Sequence, residues 1–239
     1  MMMSNRAKID VSTWDGTISS RDFQVAALAF AEKWKRLNST ILPQWSWVSS
    51  PKRPWIASHE GEGYLSLENV ILHGLSQEGN GKVSHTKEEE SSCCGLDDAI
   101  DHASLVQTDG REVICFDFHI VYSSSYRVPV LYFRACSSDG QPLVLDDVIK
   151  DLPANSVKVL LESKWTFLTQ EEHPYLNRPW YKLHPCGTCE WIKLLLLADA
   201  SGIENGVAFE RYIVSWLSVV GQVVGLRIPF EMLKDCGDV

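Results

Sequence analysis

Apolar residues recur at helical spacing between Ser20 and Leu37, which is the pattern of an amphipathic helix with one buried face. The residues on that face are Phe23, Ala26, Ala27, Phe30, Trp34 and Leu37. Ser19 or Ser20 can act as the N-cap, and three basic residues near the other end complement the helix dipole. The pattern predicts a helix over 20–37. The proline-rich segment that follows allows short extended pieces at best.

Three segments in the middle of the chain are rich in β-branched and aromatic residues, as β-strands are. They are residues 64–73, 112–122 and 128–136. Three serines over 123–125 form the turn between the second and the third. Consecutive strands of this kind pair in an antiparallel sheet. The sequence therefore predicts an antiparallel meander, followed by one helical turn over 146–152.

The last third of the chain is predicted to be irregular at first and then helical. The irregular segment contains Trp165 and Phe167 and runs through Pro179, and the predicted helices cover 190–198 and 207–220. Helices that are segregated from a run of strands indicate an α+β layer fold. No strand–helix–strand alternation and no glycine-rich phosphate loop is present, so a nucleotide-binding sheet is disfavoured and no cofactor is predicted.

The segment over 74–110 differs in composition from its surroundings. It is rich in Gly, Ser, Glu and Asp and has few large apolar residues, so burial there cannot offset the entropy lost on ordering. We interpret it as a flexible acidic insertion within a hairpin. The whole chain, 1–239, is then predicted to form a single domain.

Charge and cysteine content exclude several classes of protein. The net charge is −9, so nucleic acids and anionic membranes are unfavourable partners. The longest apolar stretch, 207–226, contains Glu210 and Arg211, which indicates a buried helix rather than a membrane span. The first residues lack the apolar core of a signal peptide, and seven cysteines do not form a secreted disulfide pattern. We expect a reduced, cytoplasmic protein.

The segment around Cys186 has the features of a reactive cysteine site. Pro185 biases His184 towards an extended conformation, and Gly187 is predicted to allow a close backbone approach. A helix that begins at about Thr188 would direct its free N–H groups and its positive dipole end towards the sulfur. Such surroundings lower the pKa of a thiol and increase the thiolate fraction. Cys186 is therefore a candidate nucleophile.

Other roles for the cysteines remain open at this stage. Cys186 could simply be packed, since cysteine is among the most buried residue types, and Cys115 is expected in the core because its strand is apolar. Cys186 and Cys189 also have the C-x-x-C spacing of a dithiol redox site, although the sequence lacks the fold context of thioredoxin-like proteins. A zinc site that adds the adjacent cysteines at 93–94 is a weaker alternative, because adjacent ligands give poor tetrahedral geometry.

The segment His184-Pro185-Cys186-Gly187-Thr188 resembles the HPC-x-T active-site signature of the non-standard autophagy conjugating enzymes. Upstream, residues 118–133 look like the paired central strands of the same family, and the resemblance covers most of 20–230. It implies a ubiquitin-conjugating-enzyme-like fold, in which an N-terminal helix and C-terminal helices pack on an antiparallel meander. The closest resemblance is to the branch, of plant type, whose acceptor is a protein.

The resemblance also implies a function. The enzyme would receive the ubiquitin-like modifier autophagy-related protein 12 from the activating enzyme, autophagy-related protein 7. It would carry the modifier as a thioester on Cys186 and join it to a lysine of autophagy-related protein 5, in support of autophagosome formation. His184 would orient groups around the sulfur or act as a base. Tyr126 and Tyr132 are candidates for placing the incoming lysine. No metal is implied.

The sequence departs from ordinary ubiquitin-conjugating enzymes, whose HPN tripeptide supplies an asparagine that stabilises the oxyanion. The nearest segment here is His173-Pro174-Tyr175-Leu176-Asn177, and whether Asn177 has that role is left open. Two further alternatives remain. The lipid-conjugating enzyme of the same family shares the HPC motif but is usually longer, and a non-enzymatic binding module of this fold would lack the cysteine.

Overall fold

The structure is a computed structural model that describes residues 8–9, 13–37, 43–50, 62–72, 113–150, 152–158, 168–200 and 207–234. The strands are β1 (Lys8–Ile9), β2 (Ser46–Ser49), β3 (Gly63–Ile71), β4 (Cys115–Ser123), β5 (Val128–Cys136), β6 (Leu168–Glu172), β7 (Pro179–Leu183) and β8 (Val207–Ala208). The helices are α1 (Ser20–Leu37), α2 (Leu145–Lys150), α3 (154–158), α4 (Thr188–Ala200) and α5 (Phe209–Val223). A 3₁₀ turn covers Phe230–Met232. The predicted insertion at 74–110 lies outside the described residues.

Six strands form one antiparallel sheet in the order β2-β3-β4-β5-β7-β6. The predicted meander is its centre, and the strand predicted over 128–136 has the same limits as β5. The prediction of an irregular segment through Pro179 is wrong for β6, which pairs with β7 as a hairpin. β7, which begins at Pro179, was not predicted as a strand. Trp165 and Phe167 lie outside the described residues. The sequences of β6 and β7, LTQEE and PWYKL, carry little of the β-branched enrichment that marks a strand, so the sequence pattern missed them.

Helix α1 has both of its predicted ends, because the local signals agree with its packing. The Ser19 hydroxyl accepts a hydrogen bond from the Asp22 N–H over 3.1 Å, so Ser19 is the N-cap. The apolar face of α1 from Phe23 to Trp34 is buried in the main core, which the helices form with the inner face of the sheet. Leu37, which the pattern also assigned to this face, is 44% exposed at the end of the helix. This arrangement confirms the predicted α+β fold.

The remaining helices start close to their predicted positions. α4 begins at Thr188, as expected for the helix after Cys186 and two residues before the apolar segment predicted over 190–198. α5 covers Phe209–Val223, where 207–220 was predicted. β8 takes the two residues before α5 and pairs with β1.

The prediction that Cys115 lies in the core is wrong, since its side chain is partly exposed at the end of β4. Within the described ranges, the helices are too short or too polar to cross a bilayer.

The face of the sheet that points away from the helices also carries a buried group, which we call the outer cluster. Its members are Tyr64, Val121, Val130, Tyr132 and Trp180, with Tyr175 and Leu176 packed against them. The last two belong to the loop between β6 and β7, which folds back over this face. Two histidines, His119 from β4 and His173 from the loop, are buried among these rings.

Candidate active site

Cys186 lies in a short turn between β7 and α4. The Thr188 N–H donates to the Pro185 carbonyl over 3.1 Å and closes the turn, and the Trp191 N–H donates to the Gly187 carbonyl over 3.2 Å and begins the helix. Cys186 therefore stands just outside the first turn of α4. Unpaired backbone N–H groups and the positive end of the helix dipole favour an anionic group at such a position.

Gly187 is required in this turn by its backbone conformation. Its φ is +73°, in the left-handed region where a residue with a Cβ is strained. A Cβ at this position would meet no other atom within 4 Å. No other part of the described chain approaches Gly187 closely, so the predicted close backbone approach stays a prediction. The glycine shapes the turn, and the space beside it is open.

The close approach near the site is made instead by Gly16, which packs against the first turn of α4. Gly16 is buried with a φ of +84°, and a Cβ there would lie 1.9 Å from the carbonyl oxygen of Cys189. The Gly16 carbonyl also accepts a hydrogen bond from the Tyr212 hydroxyl of α5 over 3.0 Å. The segment before α1 and helices α4 and α5 thus meet behind the Cys186 turn. The sequence carried no periodic signal for this contact.

The side chain of Cys186 is exposed, which contradicts the alternative of a cysteine merely packed in the core. Cys189, in the first turn of α4, donates its S–H to Glu190 Oε2 over 3.0 Å. That hydrogen bond, together with burial, raises the pKa of the Cys189 thiol. What disfavours the C-x-x-C alternative is the fold context, because the described strands of the main sheet pair only in antiparallel fashion, without the strand–helix–strand unit in which such redox motifs are found.

The zinc alternative gains no support from the described part of the chain. Cys93 and Cys94 lie outside the described residues. Within them, no group of three or more His, Cys, Asp or Glu side chains is arranged to hold a metal ion.

His184 contacts the backbone of the cysteine that follows it. The Cys186 N–H donates to His184 Nδ1 over 3.2 Å. Because Nδ1 accepts this hydrogen bond, a neutral His184 carries its proton on Nε2. The lone pair that a general base would use is engaged, and Nε2–H is a donor. The geometry therefore fits an orienting or hydrogen-bonding role better than that of a base.

The two candidate tyrosines lie in different surroundings. Tyr126, in the β4–β5 turn, is 43% exposed, and its ring lies edge-on to the His184 ring with a centroid distance of 5.7 Å. Tyr132 is 6% exposed in the outer cluster, with its ring 5.3 Å from that of His173. Burial raises the pKa of Tyr132 to about 12. The structure thus brings Tyr126 beside His184 and places Tyr132 in the outer cluster.

Asn177 belongs to the β6–β7 loop, before the start of β7, whereas Cys186 follows the end of the same strand. Five extended residues separate these ends by roughly 13 Å, which is too far for a direct hydrogen bond to a group on the sulfur. The φ of Asn177 is +51°, a conformation that asparagine tolerates better than most residues. This geometry supports a role for Asn177 as a turn residue rather than as an oxyanion donor.

Comparison with known proteins gives the family. Residues 22–231 match the family model described as autophagocytosis associated protein, active-site domain. The chain belongs to this family.

Several relatives refine the assignment within the active-site domain family. The ubiquitin-like-conjugating enzyme ATG10 of Arabidopsis thaliana is 52% identical over 226 residues, which cover 92% of this chain and 96% of the relative. The Homo sapiens protein of the same name is 33% identical, with coverage of 92% and 94%. Autophagy-related protein 3 of Pichia angusta is 25% identical over 66% of this chain and 46% of its own length. A solved structure described as autophagic E2, Atg10, covers 87% of this chain at 12% identity, with a TM-score of 0.46.

These matches confirm the resemblance that the HPC segment indicated. Coverage of nearly the whole length distinguishes the ATG10 relatives from autophagy-related protein 3. The chain is a ubiquitin-like-protein conjugating enzyme of the autophagocytosis family, of plant type. Its fold is ubiquitin-conjugating-enzyme-like, as predicted. The roles of individual residues are a separate question, which the geometry of the Cys186 turn addresses.

Proposed function

We propose that this enzyme carries a ubiquitin-like modifier as a thioester on Cys186 and passes it to a lysine of a protein acceptor. The observation that supports this most directly is the exposed Cys186 thiol in the HPC turn at the start of α4. The family membership supplies the reaction class. An exposed thiol is reachable both by the thioester of an activating enzyme and by an acceptor amine.

The proposed reaction has two acyl transfers. The Cys186 thiolate attacks the thioester carbonyl at the modifier's C-terminus and a new C–S bond forms. The C–S bond to the activating enzyme breaks, and the cysteine of that enzyme leaves as a thiolate. The deprotonated amine of an acceptor lysine then attacks the same carbonyl. A C–N bond forms, the C–S bond breaks, and Cys186 leaves as a thiolate while the amine proton passes to solvent or a base.

His184 and the first turn of α4 are the proposed stabilisers of this reaction. The tetrahedral intermediate carries negative charge on the former carbonyl oxygen, and hydrogen-bond donors aimed at it lower the barrier. The Nε2–H of His184 is one such donor, because its Nδ1 is already occupied by the Cys186 N–H. Tyr126, which lies against the His184 ring, would hold that ring in place and border the path of the lysine. Tyr132 would support this region from the outer cluster.

The partners in the proposal follow the resemblance. The modifier would be autophagy-related protein 12, the activating enzyme autophagy-related protein 7, and the acceptor a lysine of autophagy-related protein 5. The reaction would take place in the cytoplasm and support autophagosome formation. The four described cysteines are free thiols, as a thiol-based reaction in a reducing compartment requires.

Replacing Cys186 with Ser tests the thioester directly. A serine hydroxyl attacks more slowly but forms an oxygen ester, which thiols do not cleave. With activating enzyme, ATP and modifier, the natural protein should give an adduct that reducing agent removes, and Cys186→Ser an adduct that survives it. The ubiquitin-like modifiers of the autophagy system are supplied one at a time, in separate assays. An adduct of the natural protein that resists thiols, or one that forms equally with every modifier, would contradict the proposal.

The role of His184 is tested by comparing two substitutions. His184→Ala removes both the acceptor for the Cys186 N–H and the Nε2–H donor, and we expect single-turnover transfer to slow by about 10–100-fold. In His184→Asn, the side-chain oxygen can still accept the Cys186 N–H, so we expect at least part of the rate to return. If His184 is instead an obligatory base, Asn will be as slow as Ala, and the two pH–rate profiles will lose the same ionisation.

A further inference from the structure

Two histidines form the centre of a hydrogen-bond chain on the outer face of the sheet. His119 is 1% exposed and His173 is 0% exposed. His119 Nδ1 lies 3.0 Å from His173 Nε2, and His119 Nε2 lies 3.0 Å from the Ser66 hydroxyl. The Tyr175 N–H reaches His173 Nδ1 over 3.2 Å, and the Ser66 hydroxyl reaches the carboxylate of Glu68 over 3.0 Å.

The two ends of this chain fix the direction of every hydrogen bond within it. The Tyr175 N–H can only donate, so His173 Nδ1 accepts and His173 carries its proton on Nε2. His173 therefore donates to His119 Nδ1, and His119 donates from Nε2 to Ser66. At the far end the ionised Glu68 can only accept, which requires the Ser66 hydroxyl to donate to it. The partners at both ends therefore require the same tautomer in both histidines, with the proton on Nε2.

The hydrogen-bond chain of His173, His119 and Ser66 joins parts of the sheet that few backbone hydrogen bonds hold together. The hairpin of β6 and β7 attaches to the rest of the sheet through two residue pairs, Tyr132–Lys182 and Phe133–Tyr181. β4 and β5, by contrast, pair along their whole length. The His173–His119–Ser66 chain crosses from the β6–β7 loop to β4 and β3. In addition, Trp180 of β7 stacks on the His119 ring at a centroid distance of 4.2 Å.

β7 ends at Leu183 and leads directly into the Cys186 turn, so the position of β7 sets the position of the turn. We propose that His119 and His173 are positioning residues, which hold β7 and hence His184 and Cys186 in the geometry for acyl transfer through this neutral hydrogen-bond chain. The inference rests on the proposed function of Cys186. Neither histidine is assigned contact with the reacting atoms.

The charged and titratable groups around the pair are consistent with two neutral rings. Burial lowers the pKa of His119 to about 3 and that of His173 to about 4, and Arg178 disfavours a positive charge on either ring. The other groups that face the pair are Glu68 on β3, Arg134 on β5 with its partner Asp117 on β4, and the tyrosines 64, 132 and 175. Glu68 lies 3.7 Å from His119 Nε2, where the serine hydroxyl intervenes.

The tautomers can be tested on the free enzyme, without any partner. Nitrogen-15 chemical shifts of the two imidazole rings near neutral pH should show a protonated Nε2 and an unprotonated Nδ1 in both. This pattern should persist on acidification to about pH 5, well below the ordinary histidine pKa. Protonated Nδ1 in either ring, or a charged ring at neutral pH, would overturn the proposed chain whether or not Cys186 forms a thioester.

Two substitutions at residue 173 then separate the chain from local effects. His173→Asn keeps an oxygen that can accept the Tyr175 N–H but cannot reach His119, whereas His173→Phe keeps the ring volume and loses both bonds. We expect both variants to load modifier normally and to discharge the preformed thioester to free lysine about tenfold more slowly. If His173 acts only through its hydrogen bond within the loop, His173→Asn should discharge at the natural rate. If it acts only by packing its ring, His173→Phe should discharge at the natural rate.

The matched control is Thr169→Val. The Thr169 hydroxyl donates to Glu171 two residues later on β6, as the Ser66 hydroxyl donates to Glu68, but it lies outside the chain. We expect Thr169→Val to discharge at the natural rate and Ser66→Ala to slow discharge.

Alkylation of Cys186 by iodoacetamide gives a second measurement that needs no modifier. Its rate constant should change in the residue 173 variants and stay unchanged in Thr169→Val, and equal rates in all of these proteins would overturn the proposal.

A cycle of phenylalanine variants tests whether the histidines act as one unit. If they do, the double variant His119→Phe with His173→Phe should discharge about as slowly as either single variant. Discharge rates that multiply in the double variant would show two independent roles and contradict a single chain.

Discussion

Replacement of Cys186 by Ala is expected to abolish conjugation while leaving the fold intact. The thiol is exposed, and its removal should change the free energy of unfolding by less than about 0.5 kcal/mol. The variant should form no thiol-sensitive adduct with the modifier, because no other group in the turn can replace the nucleophile. Thermal unfolding and the adduct assay, carried out on the same preparation, check both halves of this prediction.

Cys189→Ala is the matched control for this experiment. Cys189 lies three residues further on, and its S–H is engaged by Glu190. A conjugating enzyme should keep its adduct and its transfer rate in Cys189→Ala, whereas a dithiol enzyme would lose activity in both variants. Persistence of the adduct in Cys186→Ala would show that another cysteine carries the modifier.

Gly16→Ala is expected to destabilise the protein by about 3 kcal/mol or more, because it combines two separate costs. The φ of +84° is strained for any residue with a Cβ, and the Cβ would also overlap the carbonyl oxygen of Cys189 at 1.9 Å. The three nearest atoms are the O, C and Cα of Cys189, all of them backbone, so relief requires the segment before α1 to move away from α4. The free energy of unfolding, measured by urea denaturation, should fall by this amount.

Gly140→Ala separates the two costs. Gly140 has nearly the same φ, +83°, but a Cβ there would have no neighbour within 4 Å. Its substitution should therefore cost only the conformational part, about 1 kcal/mol. Equal losses of stability in the two variants would mean that the contact between Gly16 and α4 contributes nothing.

The elements that the sequence predicted well are those whose local pattern and packing agree. The face of α1 from Phe23 to Trp34 repeats at helical spacing and is the face that the core buries, so pattern and structure coincide. β4 and β5 lie at the centre of the sheet and are buried along most of their length, which makes them strongly apolar. β6 is an edge strand with exposed polar residues, and its partner β7 begins with a proline, so neither resembles a strand in sequence.

The candidate site was predictable in its centre and not in its surroundings. Pro185, Cys186 and the start of α4 are neighbours in sequence, so local rules were enough to suggest an exposed thiol before a helix. The contact of Gly16 with Cys189 and the bond between His119 and His173 join residues far apart in sequence. No periodicity marks such pairs. A histidine in the middle of the apolar strand β4 was the one signal, since a buried polar group needs a partner.

The packing of Gly16 against Cys189 and its hydrogen bond with Tyr212 affect the order in which the protein can fold during synthesis. The hydrogen bond between Tyr212 and Gly16 spans 196 residues of chain, and Lys33 reaches the Met232 carbonyl across 199. During translation, Cys186 leaves the ribosome before α5 does, so the backing of the Cys186 turn cannot form until α5 has followed. The Cys186 turn therefore gains this support only after Cys186 itself has emerged.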